Sequence, residues 1–392
     1  MFISEQKRIC LVRMNRWNRG FIMKKRLKKF DYGLIAVILA LTIFGVIMIY
    51  SSSYTLSTLD YDHGHHYLVR QLIFLVLGLV AFIVVSFISL KTLGELSPMF
   101  VVVSIILLIL VLIPGVGVVR NQARRWLAYP FVFQPSEIVK VFMIIYFAHI
   151  YAKKQPYIDQ FKKGVLPPLF ILAIVFFLIL KQPDFGTATH ILLICGLIVF
   201  FSGVKLRHIL LLGSIGLSGV FFLTVSQPYR LERLMSFMNT FDDPSGDGYQ
   251  LINSYISIAT SGLTGNGLGN SVQKLGYLPE AHTDFIMAVI VEELGLIAVL
   301  FVISSYIYIL YRGIRIAQEV DSLYLRLLAL GVTFQIIIQA VFNLGAVSGL
   351  LPITGIPLPF VSYGGTSLVF TLISAGILVN VSGRRPDPTI GR

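Results

Sequence analysis

The run SPMFVVVSIILLILVLIP, residues 97–114, carries no charged side chain. A helix apolar on every face has no side to turn to water, and about 20 such residues match the hydrocarbon thickness of a bilayer. Comparable stretches recur at 33–51, 68–89, 136–152, 165–181, 187–203, 207–226, 285–311, 325–348 and 364–382. The chain therefore reads as an all-α polytopic membrane protein with about ten transmembrane helices. Composition agrees: apolar residues are 56% of 392 and charged residues 13%, against about 25% charged in a soluble domain. Cys10 and Cys195 are the two cysteines, so no disulfide framework is implied.

The net charge of +13 is distributed in a way that excludes a nucleic-acid partner. Ten of the 32 Lys and Arg precede the first span, as expected of a basic cytoplasmic tail touching anionic membrane lipid. There is no cleavable signal pattern, and Met23, before Lys-Lys-Arg-Leu-Lys-Lys, is a second possible start. Ten spans put both termini on one side. With that side cytoplasmic, tails and inner loops hold 23 of the 32 Lys and Arg, which satisfies the positive-inside rule. The expected organisation is a basic tail over 1–32, a membrane domain over 33–383 with a large extracellular loop at 227–284 between helices 7 and 8, and a cytoplasmic tail over 384–392. Such a long outer segment is usually functional. Its Gly-Asn-Gly-Leu-Gly (265–269) follows no strand, so a nucleotide-binding reading is rejected.

Ionisable groups within a membrane cost roughly 2.5–3.5 kcal/mol each and are candidate functional residues. Glu137 and Lys140 stand three apart on one helix face, where they can pair. Asp184 opens the sixth span from the same outer side. A structural ion pair and a helix cap are the plainer readings of these residues. Arg124 and Arg125 lie on the outer side against the charge bias, either as lipid-headgroup contacts or as part of an anion site. Leu-Pro-Glu-Ala-His-Thr-Asp-Phe (278–285) gathers Glu280, His282 and Asp284 at the outer end of the eighth span. Asp284 alone could cap that helix; the cluster suggests catalysis or ligand binding. Its order is not a recognised zinc spacing. Glu292 and Glu293, two turns deeper, read as helix packing and polar bridging. Three prolines and four glycines in 349–367 fix irregular backbone at membrane depth, tolerated only where it is buried in protein or lines a cavity.

At these motifs the sequence resembles the SEDS family (shape, elongation, division and sporulation proteins), from Asp31 to about Ser382, leaning to its cell-division branch, with the elongation branch similar. The matching stretches are Asp-Tyr-Gly-Leu (31–34), Met-Ile-Tyr-Ser-Ser-Ser (48–53), Arg-Arg-Trp-Leu (124–127), Gln-Pro-Ser-Glu (134–137), Gln-Pro-Asp-Phe-Gly-Thr (182–187), Gly-Tyr-Gln (248–250), Gly-Leu-Gly-Asn-Ser-Val-Gln-Lys (267–274), 278–285 and 349–367. Gln122 departs from the family's usual glycine. The resemblance implies a glycosyltransferase of the bacterial cytoplasmic membrane, acting at the division septum. It would polymerise lipid II into β-1,4 glycan on the outer face, beside a class B penicillin-binding protein and other divisome proteins. The family's essential acid falls on Asp284, as general base toward the acceptor hydroxyl. Arg124, Arg125 and Lys140 are candidates for the departing pyrophosphate, with a divalent cation (Mg or Mn) sharing that load. Glu137, Asp184, Gln250, Lys274, Glu280, His282 and Ser362, all in or beside matching motifs, are further candidate contacts to lipid II and the lipid-linked glycan chain. Two rivals stay open: a transporter flipping the lipid-linked precursor, and a scaffold for the transpeptidase.

Overall fold

A computed structural model describes residues 27–385, apart from 121–122, 129–131, 227, 245 and 247. The basic tail before Leu27, with Cys10 and Met23, Gln122 and the chain beyond 385 lie outside the described residues. In chain order the elements are α1 (Tyr32–Tyr61), α2 (His66–Phe87), α3 (Leu90–Glu95), α4 (Ser97–Leu112), β1 (Gly117–Arg120), β2 (Ala123–Leu127), α5 (Pro135–Lys153), α6 (Leu166–Leu180) and α7 (Phe185–Phe201). They continue with α8 (Leu206–Val225), α9 (Pro228–Met238), α10 (Tyr249–Thr260), α11 (Ile286–Gln318), α12 (Leu323–Val347) and α13 (Thr366–Ser382).

The all-α membrane architecture expected from the sequence is the one observed. Among the described residues, seven helices are long and apolar enough to cross a bilayer, α6 counting with the π-helical turn Phe161–Val165 that leads into it. The apolar helices α4, α7 and α13 are shorter, at 16, 17 and 17 residues. Helices α5, α11, α12 and α13 form the interior, with about two thirds of the most apolar stretches of α5, α11 and α12 buried. Helix α8 stands at the periphery, where its most apolar stretch has no buried residue. α1 runs to Tyr61, ten residues past its expected end.

The loops divide between two ends of the bundle. Near the first described residues, Asp31 caps α1 by accepting the Leu34 N–H at 3.0 Å. Its other oxygen takes Arg312 Nε at 2.8 Å and Arg385 at 3.0 Å, and Arg385 reaches Glu319 at 2.8 Å. Burial alone would raise the Asp31 pKa; the hydrogen bonds from Arg312, Leu34 and Arg385 outweigh it and hold it below the usual range. This terminal end thus ties α1, α11 and α13 together.

The opposite end carries the hairpin β1–β2, the segment 226–285 and the irregular stretch 351–365. Its architecture depends on a kink in α11 at Gly295, where φ is +66° and ψ is −159°. A kink releases carbonyls from the helical ladder. Here Glu292 O accepts from Asn266 N–H and Glu293 O from Gly267 N–H, each at 2.9 Å. The approach is close: a Cβ on Gly295 would sit 2.4 Å from the Leu263 carbonyl oxygen. The Gly-rich run at 265–269 therefore serves backbone docking. It also closes over two buried carboxylates. Glu293 pairs with Lys274 at 2.7 Å and accepts from Ser51 at 2.7–2.8 Å, while Glu292 accepts from Ser271 Oγ at 2.5 Å and Val272 N–H at 2.8 Å. The polar bridging expected of these two residues is what they do.

Candidate active site

Asp284 sits two residues before the start of α11, but it does not cap it: Phe285 is the N-cap residue and, among the described residues, no side chain caps the first turn. Its carboxylate instead accepts from Thr283 Oγ1 at 3.1 Å, and Thr283 also donates to Glu280 at 2.6 Å. Glu280 has a left-handed φ of +55°. This turn folds the Glu280 carbonyl onto the N–H groups of Thr283 and Phe285 at 3.1 and 3.2 Å and holds Glu280 beside Asp284. Burial, reinforced by the Glu280 charge, pushes the Asp284 pKa up to about 7. The carboxyl thus titrates near neutrality, where a general base is most effective.

Behind it the backbone is clamped. Asn343, buried in α12, donates to the Asp284 carbonyl at 2.7 Å and to the Ile356 carbonyl at 2.9 Å. Four residues earlier on the same face, Gln339 donates to Pro357 O at 2.9 Å and accepts from Lys140 at 3.1 Å. Lys140, 2% exposed, pairs with Glu137 at 2.9 Å. The stretch 351–365 is further held by Tyr306 O–H to Pro359 O at 2.6 Å and by Tyr363 N–H to His282 O at 2.9 Å. Irregular backbone at this depth is thus buried in protein, as its composition requires.

On the same end lies a cavity of about 690 Å³, lined among others by Arg125, Arg233, Glu232, Tyr249, Gln250 and Pro279; it reaches the Asp284 loop at Pro279, while Asp284 itself is not on its wall. Gln250 donates to Pro279 O at 3.2 Å, fixing α10 to the loop that carries Asp284. Arg233 lowers the Asp284 pKa slightly, against burial. Arg125 reaches across to the turn before α7, donating to the carbonyls of Gln182 (3.2 Å) and Pro183 and lying 3.9 Å from Asp184. The site end thus joins a carboxylate of raised pKa to a half-open cavity walled by two arginines.

The family model described as "Cell cycle protein", covering FtsW, RodA and SpoVE, matches residues 32–386. The chain belongs to this family. Stage V sporulation protein E of Bacillus subtilis is 42% identical over 353 residues, 90% of this chain and 96% of that protein. A protein named probable peptidoglycan glycosyltransferase FtsW, from Geobacter metallireducens, is 39% identical over 92% of this chain and 96% of its own length. Among solved structures, a chain from a peptidoglycan synthase complex that coordinates polymerization and crosslinking superposes with a TM-score of 0.73 at 30% identity, covering 91% of this chain and 99% of that one. RodA of Thermus thermophilus follows at 0.68 and 28%, covering 91% and 98%.

Within this FtsW/RodA/SpoVE fold several expected contacts fall elsewhere. Lys274 is committed to Glu293 and Ser51 in the interior, 5% exposed, and offers no charge to a ligand. Arg124 and Arg125 alternate on β2 and so point to opposite faces; Arg124 donates back to Leu112 O at 3.3 Å, away from the cavity. Ser362 accepts from Leu358 N–H at 2.8 Å and closes a turn. His282 is buried between the rings of Tyr67 and Tyr363, at 4.6 and 5.5 Å; burial lowers its pKa despite Glu280 and Asp60, leaving it neutral. Asp184 is a helix cap, accepting from Thr187 N–H at 3.3 Å and Gln134 at 3.0 Å, and shares no bond with the Glu137–Lys140 pair. Arg233, Glu232 and Tyr249 were not among the expected contacts. For Arg233 the signal was present, a cation on the outer side against the charge bias.

Proposed function

We propose that this chain is a peptidoglycan glycosyltransferase that polymerises lipid II into β-1,4 glycan, with its site end outside the cytoplasmic membrane and both termini inside. One observation carries this reading: Asp284, with a pKa raised to about 7, lies close enough to Arg233 to feel its charge, and Arg233 and Arg125 wall a cavity that also reaches Pro279 on the Asp284 loop. Converting an α-linked sugar pyrophosphate to a β link is an inverting displacement. The acceptor 4-oxygen bonds to C1, the C1–O bond to pyrophosphate breaks with its electron pair leaving on the phosphate oxygen, and the hydroxyl proton passes to Asp284. The arginines offset the charge that develops on the leaving group, Arg suiting bidentate contact with phosphate. Among the described residues no three His, Cys, Asp or Glu side chains converge as a metal site requires. A divalent cation would depend on substrate oxygens for most of its shell, and no step above runs through one.

The septal site of action and a class B penicillin-binding protein as partner belong to the same proposal, supported by the cell-division relatives and by the polymerizing and crosslinking complex. Asp284→Asn keeps the side chain's size and removes its basicity. The variant is expected to insert and bind lipid II, yet form glycan about 10²–10⁴-fold more slowly. Equal glycan synthesis by variant and wild type refutes the assigned base. A purified wild type that makes none, with its transpeptidase present, favours transport of the precursor.

A further inference from the structure

At the terminal end, opposite Asp284, a second cavity of about 370 Å³ opens between α3, α5, the α11–α12 turn and the end of α13. Three cations converge on it from three elements: Lys91 from α3, Lys153 from the last turn of α5, and Arg384 from beyond α13. Among the described residues one carboxylate faces it, Glu95, 3.9 Å from Lys91 and itself exposed. His149, Ser322 and Tyr324 are the other polar groups on its wall; Ala152 and Leu325 are the aliphatic ones.

The cavity is built rather than incidental. Tyr324 O–H donates to Leu90 O at 3.1 Å, and Asn380 donates to Val85 O and Ile88 O at 2.8 and 2.7 Å. These bonds pin the α2–α3 connection to α12 and α13. The His149 ring lies directly against Gly94 and edge-on to Tyr324 at 5.5 Å. Carbon and ring faces form a floor, and the cations form a rim. That arrangement suits an amphiphile whose anionic group meets the rim and whose glycerol and first methylenes meet the floor. It lies where α5 and α13 end, and Leu96 and Met99, at the near end of α4, leave apolar side chains exposed.

The geometry points to a binding site for the phosphate headgroup of an anionic phospholipid. The phosphate contacts Lys91, Lys153 and Arg384, and the chains run down the outer face of α4. This site is separate from the cavity at Asp284 and does not depend on the reaction assigned there. Cations near a membrane surface each contribute about 1 kcal/mol toward anionic lipid, about fivefold in affinity.

The test uses the purified full chain in detergent, with phosphatidylglycerol, phosphatidylcholine or inorganic phosphate added, read by native mass spectrometry and thermal shift. The wild type is expected to retain phosphatidylglycerol over phosphatidylcholine. Lys91→Gln and Lys153→Gln should each weaken retention about fivefold, and the pair with Arg384→Gln should abolish the preference. Lys162→Gln with Lys163→Gln removes two exposed cations elsewhere at this end and should change nothing. An equal loss in that control overturns the site in favour of diffuse surface charge. So does undiminished retention by the triple variant. A thermal shift produced in full by inorganic phosphate, with none added by the lipid, replaces the lipid with a free anion and refutes the proposal. The two exposed lysine variants decide the matter even if the triple variant fails to accumulate.

Discussion

Removing the Lys274 ammonium separates a structural charge from a substrate contact. In Lys274→Ala the Glu293 carboxylate, itself fully buried, keeps only neutral donors: Ser51 Oγ at 2.7–2.8 Å and the Ser271 N–H at 3.4 Å. Breaking a buried pair from one side costs roughly 3–5 kcal/mol. The surviving donors place this case at the lower end, about 3 kcal/mol, still a large share of the roughly 5–15 kcal/mol of a whole domain. The Lys274→Met, Glu293→Gln double variant removes both charges and is expected to recover most of the loss, because neutral replacements of similar size often match a buried pair. The assay is thermal unfolding of purified protein, followed by size-exclusion fluorescence, with turnover normalised to folded molecules. The single variant should melt well below wild type yet turn over normally per folded molecule. A Lys274→Ala protein that melts like wild type but needs more lipid substrate for half-maximal rate refutes this reasoning and returns Lys274 to the substrate.

If Asp284 is the base proposed above, it acts ionised, and with its pKa raised to about 7 glycan synthesis should fall as pH drops through about 7; Glu280→Gln, which removes the neighbouring charge, should move that limb to lower pH. A limb in the ordinary carboxylate range, or one unmoved by Glu280→Gln, contradicts the assignment. Gly295→Ala forces an L side chain to φ +66°, ψ −159° and a Cβ to within 2.4 Å of Leu263 O, costing roughly 1–3 kcal/mol for the backbone alone and loosening the 263–267 segment; an unchanged melting temperature would show that the kink relaxes freely. Reporters fused after Asp243 and after Ile158 should read outside and inside respectively, and reversal of either breaks the proposed topology.

The helices were legible because apolar run length is a one-dimensional property. Most ends fall within three residues of where the apolar stretches stop. α1 runs past its expected end because the polar stretch 52–61 stays helical, its hydroxyls turned back on the helix: Ser53 donates to Ile49 O and Thr58 to Tyr54 O. The β1–β2 hairpin was invisible: each strand is only four or five residues long. In the site, residue types were readable and partners were not. Nothing local distinguishes Lys274, which is buried against a carboxylate, from Arg233, which faces the cavity. The kink at Gly295 was equally hidden, since the residues on both sides of it continue one apolar helix.

The brevity of α4 has a consequence for the lipid around it. Sixteen residues rise about 24 Å, against a hydrocarbon core of about 30 Å, and Met99, Val102, Ile106 and Ile109 present that short length outward. A bilayer meets a short hydrophobic face by thinning, at a modest cost per ångström of mismatch. Such thinning would fall beside the β1–β2 hairpin, which packs on α4 and carries Arg125 to the cavity wall.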